Sequence, residues 1–198
     1  MNNPALIVGV IADTHVPDRV KTLNPEILPA FMAAGVDLIL HAGDISIPPV
    51  LKELETVAPV RAVRGNRDWY FMDKLPLKLD LDLAGVPITL MHGHGGIGNY
   101  LRDKLYYLRD GYQFERYRGK VAQLAPAARV VVFGHTHHAE NRLVDGQLLF
   151  NPGSAHFGYL ESLPPSIGFL RFYPGGEVVG EIYPLTRFSI RQGNWESA

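Results

Sequence analysis

The sequence predicts an α/β fold with two packed sheets, on the basis of three observations. The first third of the chain alternates strand-like and helix-like segments in the order β-α-β-α-β, which is typical of a parallel sheet with right-handed crossovers. The second half consists mostly of strand pairs joined by short turns. No repeat, low-complexity tract or convincing linker interrupts the 198 residues, so we expect a single domain over residues 1–198.

The first strand and the first helix have clear boundaries in the sequence. Residues 6–11 (LIVGVI) form a continuous apolar run rich in branched side chains, which suits a strand that is covered on both faces. Asn24 followed by Pro25 predicts a helix cap and a first helical position. This helix should run to about Ala34 and end at Gly35.

Two further strands flank a second predicted helix. The strands are residues 37–40 (DLIL) and residues 59–63 (PVRAV). Ser46 and the two prolines that follow it begin the helix, which should run to about Val57. Because a helix separates each strand from the next, the three strands are expected to lie in one parallel sheet.

The second half is predicted to contain three hairpins, a further buried strand and a helical region. Asp145-Gly146 and Pro174-Gly175-Gly176 are strong turn signals. Residues 97–124 favour one or two helices, and residues 128–133 favour a buried strand. The hairpin strands are residues 77–83 with 86–91, residues 141–144 with 148–150, and residues 168–173 with 178–183.

Composition narrows the functional classes. Hydrophobic residues make up 46% of the chain and the formal net charge is −1, so the whole surface is not suited to polyanions, although a local basic patch is compatible with these values. The absence of cysteine excludes disulfides and thiolate metal sites. The N-terminus lacks signal-peptide features, and no apolar run reaches the roughly 18–20 residues of a membrane span. We therefore expect a cytoplasmic protein that does not act on membranes.

Residues that can bind metals follow five of the predicted buried strands. In α/β sheets, ligand sites lie beyond the carboxyl ends of the strands, so these side chains are expected to lie close together. The five sets are Asp13 with His15, Asp44, Asn66, His92 with His94, and His135 with His137.

Each set also has an ordinary interpretation. Asp13 and His15 can be a loop pair, and Asp44 can cap the helix that begins nearby. Asn66 is a common turn residue, and His92 can be a histidine satisfied within the core. These interpretations give no reason for five sets to fall in equivalent places, so the coincidence favours one shared metal site.

The residue types suit a pair of divalent transition-metal ions. Carboxylate, imidazole and amide ligands together favour Mn, Fe, Zn, Co or Ni over Ca, and Mn is the ion that we expect first. A carboxylate that bridges two ions about 3.5–4 Å apart completes a centre that can polarise a phosphoryl oxygen and generate hydroxide near neutral pH. The amide of Asn66 can bind an ion without cancelling the positive charge that attracts a phosphate.

In their order along the chain, six short blocks resemble those of the calcineurin-like metallophosphoesterases, and in particular the small bacterial and archaeal phosphodiesterase branch. The resemblance implies a four-layer α/β/β/α sandwich of two packed mixed sheets with a dimetal site at one edge. It also implies a phosphohydrolase, most simply a phosphodiesterase, that uses a metal-bound hydroxide. The blocks are DTH (13–15), GD (43–44), GN (65–66), HGH (92–94), GHTH (134–137) and NPGS (151–154).

The resemblance further implies an assignment of the ligands. One ion would be bound by Asp13, His15 and His137. The other ion would be bound by Asn66, His92 and His135, and Asp44 would bridge the two. His138 has no counterpart among the ligands and is interpreted as a solvated loop residue.

Arg67 departs from the family pattern. The larger enzymes have a histidine after the Gly-Asn block that assists the leaving group, and this chain has Arg67 there. Arginine is always protonated, so it cannot be a general acid, but it can stabilise a departing oxygen or clamp a phosphate. Equally, Arg67 can pair with Asp68 or face solvent. His94 is the second candidate for assisting the leaving group, and a role in supporting the metal ligands is its alternative.

Two other functions fit parts of the sequence. Residues 93–98 match the G-x-G-x-x-G pattern of nucleotide-binding oxidoreductases, but residues 112–118 lack the buried strand with an acidic end that this motif requires. The superfamily also includes a retromer scaffold subunit with a degenerate site, whereas the predicted ligand set here is intact. Bound metal together with turnover would distinguish an enzyme from a scaffold.

Residues 100–120 interleave six aromatic residues with six basic and three acidic ones. Such a segment can stack on a nucleic-acid strand, pack on the core as an amphipathic helix, or form a homo-oligomer contact. We favour packing or oligomerisation, with the hypothesis that the segment covers the active site and contacts the organic part of the substrate. The expected substrate is a small phosphate ester or a nucleotide. Long nucleic acid is compatible with the sequence but not favoured.

Overall fold

The two main sheets of the protein pack face to face and carry helices on their outer faces. The computed structural model describes residues 3–68, 74–95, 105–157 and 163–198. Residues 105–110 are also helical. The other elements, in chain order, are β1 (Leu6–Ile11), α1 (Ile27–Ala34), β2 (Leu38–His41), α2 (Pro48–Leu54), β3 (Val60–Ala62), β4 (Lys78–Leu83), β5 (Val86–Met91), α3 (Phe114–Leu124), β6 (Val130–Val132), β7 (Ala139–Val144), β8 (Gln147–Pro152), β9 (Ser166–Phe172), β10 (Val178–Pro184), β11 (Phe188–Arg191) and β12 (Asn194–Ser197).

Both five-stranded sheets combine parallel and antiparallel pairs. The first has the order β10-β9-β1-β2-β3, in which β1, β2 and β3 are parallel, β9 is antiparallel to β1, and β10 is antiparallel to β9. The second has the order β4-β5-β6-β8-β7, with β5, β6 and β8 parallel and antiparallel strands at both edges. The central parallel strands of the two sheets end near one another, which places the residues that follow them at a common edge.

Three apolar clusters lie between the four layers of the fold, which are the two sheets and the helices on their outer faces. Val8 and Val10 of β1 face the second sheet in the central cluster, whereas Ile11 belongs to the cluster beneath α1 and α2. On the far side, Phe114 and Val121 of α3 pack against the second sheet. Strand β1 is therefore covered on both faces, as its continuous apolar run predicts. The predicted α/β class and the four-layer sandwich of two mixed sheets are confirmed.

Several predicted boundaries were wrong by a few residues. The first helix begins at Ile27 rather than Pro25, and the second covers Pro48–Leu54 rather than residues 46–57. The predicted strand over residues 128–133 pairs only at Val130–Val132. Helix ends and strand ends depend on which backbone groups find partners in the folded chain, and the local sequence specifies this weakly.

The helical region and the C-terminus also differ in part from expectation. Residues 105–110 and Phe114–Leu124 are helical as predicted, and the rest of the region from 97 lies outside the described residues. The hairpin of β11 and β12 was not predicted. It packs near the start of α1, where the Trp195 indole donates to the Thr22 carbonyl over 2.9 Å. No helix within the described ranges is long and apolar enough to cross a membrane.

Candidate metal centre

All seven predicted ligands converge at the common edge of the two sheets. Each follows the carboxyl end of a parallel strand: β1, β2 and β3 in the first sheet and β5 and β6 in the second. The packing of the sheets therefore joins residues that are up to 122 positions apart, as in the pair of His15 and His137. The expectation that the strand ends form one site is met by the geometry.

Asp13, His15 and His137 form the first group. Their ligand atoms all lie within 4.8 Å of one another, which is close enough to hold a metal ion. Nε2 of His137 lies 3.4 Å from Oδ1 of Asp13 and 3.2 Å from Nε2 of His15. All three side chains come from loops at the ends of β1 and β6.

Asn66, His92 and His135 form a neighbouring cluster. Oδ1 of Asn66 lies 3.0 Å from Nε2 of His92 and 3.1 Å from Nδ1 of His135. Asp44 stands between this cluster and the first group, with Oδ1 3.5 Å from Nε2 of His92 and Oδ2 3.9 Å from Nε2 of His15. Its two oxygens thus face opposite sides, which is the orientation that a bridging carboxylate needs.

Asp13 is shared more widely than the sequence suggested. A second group that can hold a metal consists of Asp13, Asp44 and His92, again with ligand atoms within 4.8 Å. Two carboxylates therefore lie between the imidazoles of the two sides. Oδ2 of Asp13 accepts the backbone N–H of His135 over 3.0 Å, and this hydrogen bond holds the loop after β6 against the loop after β1.

The donor atoms at this edge fit metal ions. Nδ1 of His92 lies 2.7 Å from the Ala42 carbonyl and Nδ1 of His137 lies 3.1 Å from the Phe157 carbonyl, so each ring carries its proton there and directs an Nε2 lone pair inward. These lone pairs face carboxylate and amide oxygens, which are also acceptors. Oδ1 of Asp13 is buried and accepts no hydrogen bond within the described part of the chain. A cation satisfies such a set of converging acceptors.

Burial and mutual charge set the protonation of these groups. Burial lowers the pKa of His15 to about 2, against the opposing effect of Asp13, and it lowers the pKa of His135 well below its usual value. Burial also raises the pKa of Asp44 to about 6, and the charge of His92 opposes the rise. For Asp13, burial favours a higher pKa, but the charges of His137, His92 and His15 outweigh burial and lower it. Neutral imidazoles beside a carboxylate are the form in which these groups bind metals.

The backbone around the site adopts an unusual conformation. Six residues other than glycine have positive φ there, at a cost on the order of 1 kcal/mol each. Backbone hydrogen bonds between the loops compensate for this cost. The N–H of Asp13 donates to the Gly43 carbonyl over 3.0 Å, and the N–H of His15 donates to the Asp44 carbonyl over 3.2 Å. The six are Asp13, His15, Asp44, Ser46, His135 and His137. Such clusters of strained residues occur at functional sites, where surrounding contacts hold side chains in fixed directions.

The family follows from comparison with known proteins. The profile described as the calcineurin-like phosphoesterase superfamily domain matches residues 6–171. The chain belongs to this superfamily. The predicted resemblance is therefore confirmed, and the sheet edge contains Asp and His groups that could hold a metal ion.

Similar proteins include both phosphoesterases and a sorting protein. A probable metallophosphoesterase of Methanothermobacter thermautotrophicus is 36% identical over 166 residues, covering 84% of this chain and 86% of that protein. Phosphodiesterase MJ0936 of Methanocaldococcus jannaschii is 27% identical over 82% of this chain and 91% of its own length. The structure of Vps29 complexed with Zn²⁺ from Entamoeba histolytica has a TM-score of 0.67 at 24% identity, and the match covers 90% of this chain and 99% of that one.

Superfamily membership overturns the oxidoreductase alternative. The structure agrees, because a helix begins at Phe114, within the stretch where the dinucleotide motif requires a buried strand. Of the G-x-G-x-x-G match itself, residues 96–98 lie outside the described residues. Gly93, which belongs to this match, has φ +95 directly after His92, so its role in this metallophosphoesterase is to turn the chain at the end of β5.

Two glycines allow the strand-end loops of this metallophosphoesterase to touch. A Cβ added to Gly65 would collide with Oδ1 and the backbone N of Asp44, and one added to Gly43 would lie 2.8 Å from the backbone N of Gly65. The metal-binding loops after β2 and β3 therefore approach backbone to backbone, which keeps Asp44 close to Asn66.

Gly65→Ala is expected to displace Asp44 and to lower the free energy of unfolding by about 1–3 kcal/mol, because the collision is with backbone as well as side-chain atoms. Calorimetric titration with Mn²⁺ should show weakened binding, and urea denaturation should show the lost stability. Gly119→Ala is the matched control, since a Cβ there meets nothing within 4 Å and alanine favours the helix. Unchanged metal binding in Gly65→Ala would contradict the expectation.

The suggested pairing of Arg67 with Asp68 was wrong. Asp68 is fully buried, and its carboxylate accepts the backbone N–H groups of Ile45, Ser46 and Gly65 over 2.7–2.8 Å. Arg67 instead extends to Asp18, with 3.5 Å between Nη1 of Arg67 and Oδ2 of Asp18, and the Arg67 side chain is 40% exposed. The sequence offered no sign of the role of Asp68, because two of its three partners are backbone groups of a loop more than 20 residues away.

The interpretation of His138 as a solvated loop residue was also wrong. Its ring is half-buried and stacks on Tyr112 with 3.8 Å between ring centroids and an interplanar angle of 11°. Nδ1 of His138 lies 2.7 Å from the Thr136 carbonyl, and the Tyr112 hydroxyl donates to Glu140 over 2.8 Å. His138 thus connects the loop that carries His135 and His137 to the aromatic segment.

The aromatic residues of α3 and of the loop before it pack on the core. Phe114 and Tyr117 are buried on the α3 side, and Tyr112 packs against the same cluster. Arg116 lies over the ring of Tyr106 at 4.3 Å. Packing is therefore observed for Tyr112, Phe114 and Tyr117, whereas Leu105 and Leu108 are 69% and 70% exposed, and oligomerisation stays a prediction.

His94 and His156 lie just outside the ring of ligands. The His94 ring centroid is 5.5 Å from that of His92, and burial lowers the pKa of His94 to about 4. His156 is buried, and its ring centroid lies 5.7 Å from that of His15. The backbone N–H of His156 donates to Oγ of Ser154 over 3.3 Å. Sequence reasoning missed His156, although it follows the NPGS block by only two residues.

Proposed function

We propose that this metallophosphoesterase hydrolyses phosphodiesters at a centre of two divalent metal ions. The observation that carries the proposal is the position of Asp44, whose two carboxylate oxygens face His15 on one side and His92 on the other. The similarity to Phosphodiesterase MJ0936 supports a diester rather than a monoester as the substrate. We further propose that the chain acts as a single catalytic domain, residues 1–198, on a small phosphate ester or a nucleotide.

The proposed ligand assignment follows the two sides of the site. Asp13, His15 and His137 would hold one ion, Asn66, His92 and His135 would hold the other, and Asp44 would contact both. Two such ions, preferably Mn²⁺, would supply Lewis-acid activation of the phosphoryl group and of water. The complex of Vps29 with Zn²⁺ supports a fold that accommodates divalent metal.

Hydrogen bonds with the backbone hold these side chains in fixed orientations. The Ala42 and Phe157 carbonyls orient His92 and His137 through their Nδ1 atoms. Asp44 is held by the backbone N–H of Arg67, which donates to Oδ1 over 2.9 Å. The amide of Asn66 is neutral, so this ligand adds no negative charge that would repel an entering phosphate.

Arg67 is proposed to contact the substrate. Its guanidinium is partly exposed beside the metal loops, and its pairing with Asp18 at 3.5 Å is a weak surface contact that a phosphate can replace. A charge-assisted hydrogen bond from arginine to the departing oxygen would compensate for the missing histidine of the larger enzymes. His94 is proposed as the second candidate for this role, because it lies one ring beyond His92.

Arg67→Ala is expected to lower kcat/KM by roughly 10–100-fold for an alkyl phosphodiester, as expected for loss of a charge-assisted hydrogen bond. The loss should be smaller for a p-nitrophenyl diester, whose leaving group needs little stabilisation. Arg118→Ala is the matched control, since Arg118 is equally exposed at 40% and pairs with Glu115 on α3. Equal losses on both substrates would show that Arg67 binds substrate without assisting the leaving group.

The proposed function is tested by metal-dependent turnover. Chelator-stripped protein should hydrolyse bis(p-nitrophenyl) phosphate only after Mn²⁺ is restored, with p-nitrophenyl phosphate as the matched monoester. We expect turnover to increase with metal up to two ions per chain and to favour the diester. A preference for the monoester would correct the substrate class, and folded protein without turnover on any transition metal would contradict the enzyme proposal.

A second candidate is a protein-binding scaffold. The similarity to Vps29 favours it, since the match covers 90% of this chain and 99% of that one. The complete set of converging ligands favours catalysis over this alternative. Metal-bound protein that is inactive on both chromogenic esters would support the scaffold.

A further inference from the structure

A small cavity borders the metal centre on the α3 side. It has a volume of about 220 Å³ and lies between the start of β4, the end of β5 and the end of α3. Met91, which is 4% exposed, belongs to its lining, together with the rim residues Leu77 and Leu124, which are 53% and 41% exposed. His94 and the two glycines beside it form the wall nearest to the metal-binding residues.

His94 connects this cavity to the metal centre. Its ring centroid lies 5.5 Å from that of His92 and 6.1 Å from that of His135, and the same side chain lines the cavity. Only one imidazole ring therefore separates the cavity from the proposed ligands.

The size and the lining of the cavity indicate which chemical group of a ligand it can hold. An apolar cavity of about 150 Å³ holds a benzene molecule, so about 220 Å³ is enough for one aromatic ring. Its lining combines three apolar side chains with Lys78, whose ammonium donates to the Leu124 carbonyl over 3.1 Å at the rim and lies 3.3 Å from Oδ2 of Asp80. A cation beside an apolar cavity favours an aromatic ring over an aliphatic chain.

On the basis of the proposed phosphodiesterase function, we propose that this cavity binds an aromatic group esterified directly to the substrate phosphate. The phosphate lies at the metal-binding edge, and the ring passes His94 to lie between Leu77, Met91 and Leu124. A nucleotide fits this arrangement less well, because its sugar separates the base from the phosphate. The cavity thus makes aryl phosphodiesters better substrates than methyl or ethyl ones.

Binding of phosphonates tests the cavity without relying on turnover. Calorimetric titration of the Mn²⁺-loaded protein compares phenylphosphonate with methylphosphonate, which share the phosphonate group and differ only in the ring. We expect phenylphosphonate to bind about tenfold more tightly, because burial of the ring adds apolar area. In Leu77→Ser and Leu124→Ser the preference should fall below about threefold, while the affinity for methylphosphonate is unchanged.

Leu143→Ser is the matched control for these variants. Leu143 is 74% exposed on β7 and does not line the cavity, so the preference for the phenyl compound should persist. All three leucines are exposed, and thermal unfolding should show that each variant folds as the wild type does.

The possible failures of the two proposals are distinguishable. Equal affinities for the two phosphonates, or a preference that survives both cavity variants, would overturn the cavity assignment alone. Binding of thymidine 5′-monophosphate that weakens in Leu124→Ser would assign the cavity to a nucleobase and overturn the aryl assignment. If neither phosphonate binds the metal-loaded protein, the phosphate site itself is absent, and both the proposed function and this inference fail.

Discussion

Asp44→Asn is expected to reduce the kcat of the proposed phosphodiester hydrolysis by at least about 10³-fold, because a carboxylate that bridges the two ions would support several kcal/mol of metal-dependent catalysis. Its oxygens lie 3.5 Å from Nε2 of His92 and 3.9 Å from Nε2 of His15, so one side chain serves both halves of the site. An asparagine of the same shape presents an NH₂ group to one half and removes the negative charge that would hold the two proposed cations together.

Metal content and turnover should be measured together for this variant. We expect Asp44→Asn to bind fewer than two Mn²⁺ ions per chain by calorimetry while it keeps the fold, because the backbone N–H of Arg67 can still donate to the amide oxygen. Asp145→Asn is the control, since Asp145 lies in the β7–β8 turn with φ 50, a conformation that asparagine readily adopts. Wild-type turnover by Asp44→Asn would exclude a bridging role.

Asp68→Ala is expected to lower the free energy of unfolding by about 3–5 kcal/mol, as for removal of one partner of a buried charged network. The carboxylate of Asp68 is fully buried and accepts three backbone N–H groups, from Ile45, Ser46 and Gly65. Alanine leaves all three donors buried without an acceptor. These donors belong to the loops that carry Asp44 and Asn66, so metal affinity should fall as well.

Urea denaturation of metal-free protein measures this effect on stability separately from metal binding. The matched control is Asp82→Ala, because Asp82 also accepts a backbone N–H, from Gly85 over 2.9 Å, but in an exposed turn. The free energy of unfolding of this control should fall by less than about 1 kcal/mol. A similarly small loss in Asp68→Ala would show that the loops are held by other contacts.

The candidate site was largely predictable because its residues follow recognisable strands. An apolar run such as that of β1 must be buried, and the polar residues directly after it must then lie at an edge of the sheet. Asp13 and His92 could be placed at this edge from the sequence for that reason. Their exact partners could not: the sharing of Asp13 between two groups depends on how the two sheets pack.

Residues that act through backbone contacts or stacking were not predictable. Asp68 looked like a partner of its neighbour Arg67, but its acceptor oxygens face N–H groups of the β2 and β3 loops. His138 looked solvated, yet Tyr112 stacks on it from 26 positions earlier in the chain. The C-terminal hairpin was not predicted either, and its position depends on a distant contact, because the Trp195 indole donates to the Thr22 carbonyl.

By itself, the sequence determined the α/β class, the types of metal-binding side chain and the strand ends at which they lie, because periodic hydrophobicity and residue chemistry are local properties. The tertiary structure decided which side chains meet. The opposed oxygens of Asp44, the close approach of Gly43 and Gly65, and the apolar cavity beside His94 all arise where separate strands converge. Distances between residues far apart in the chain are set by the packing of the two sheets, and no local pattern encodes them.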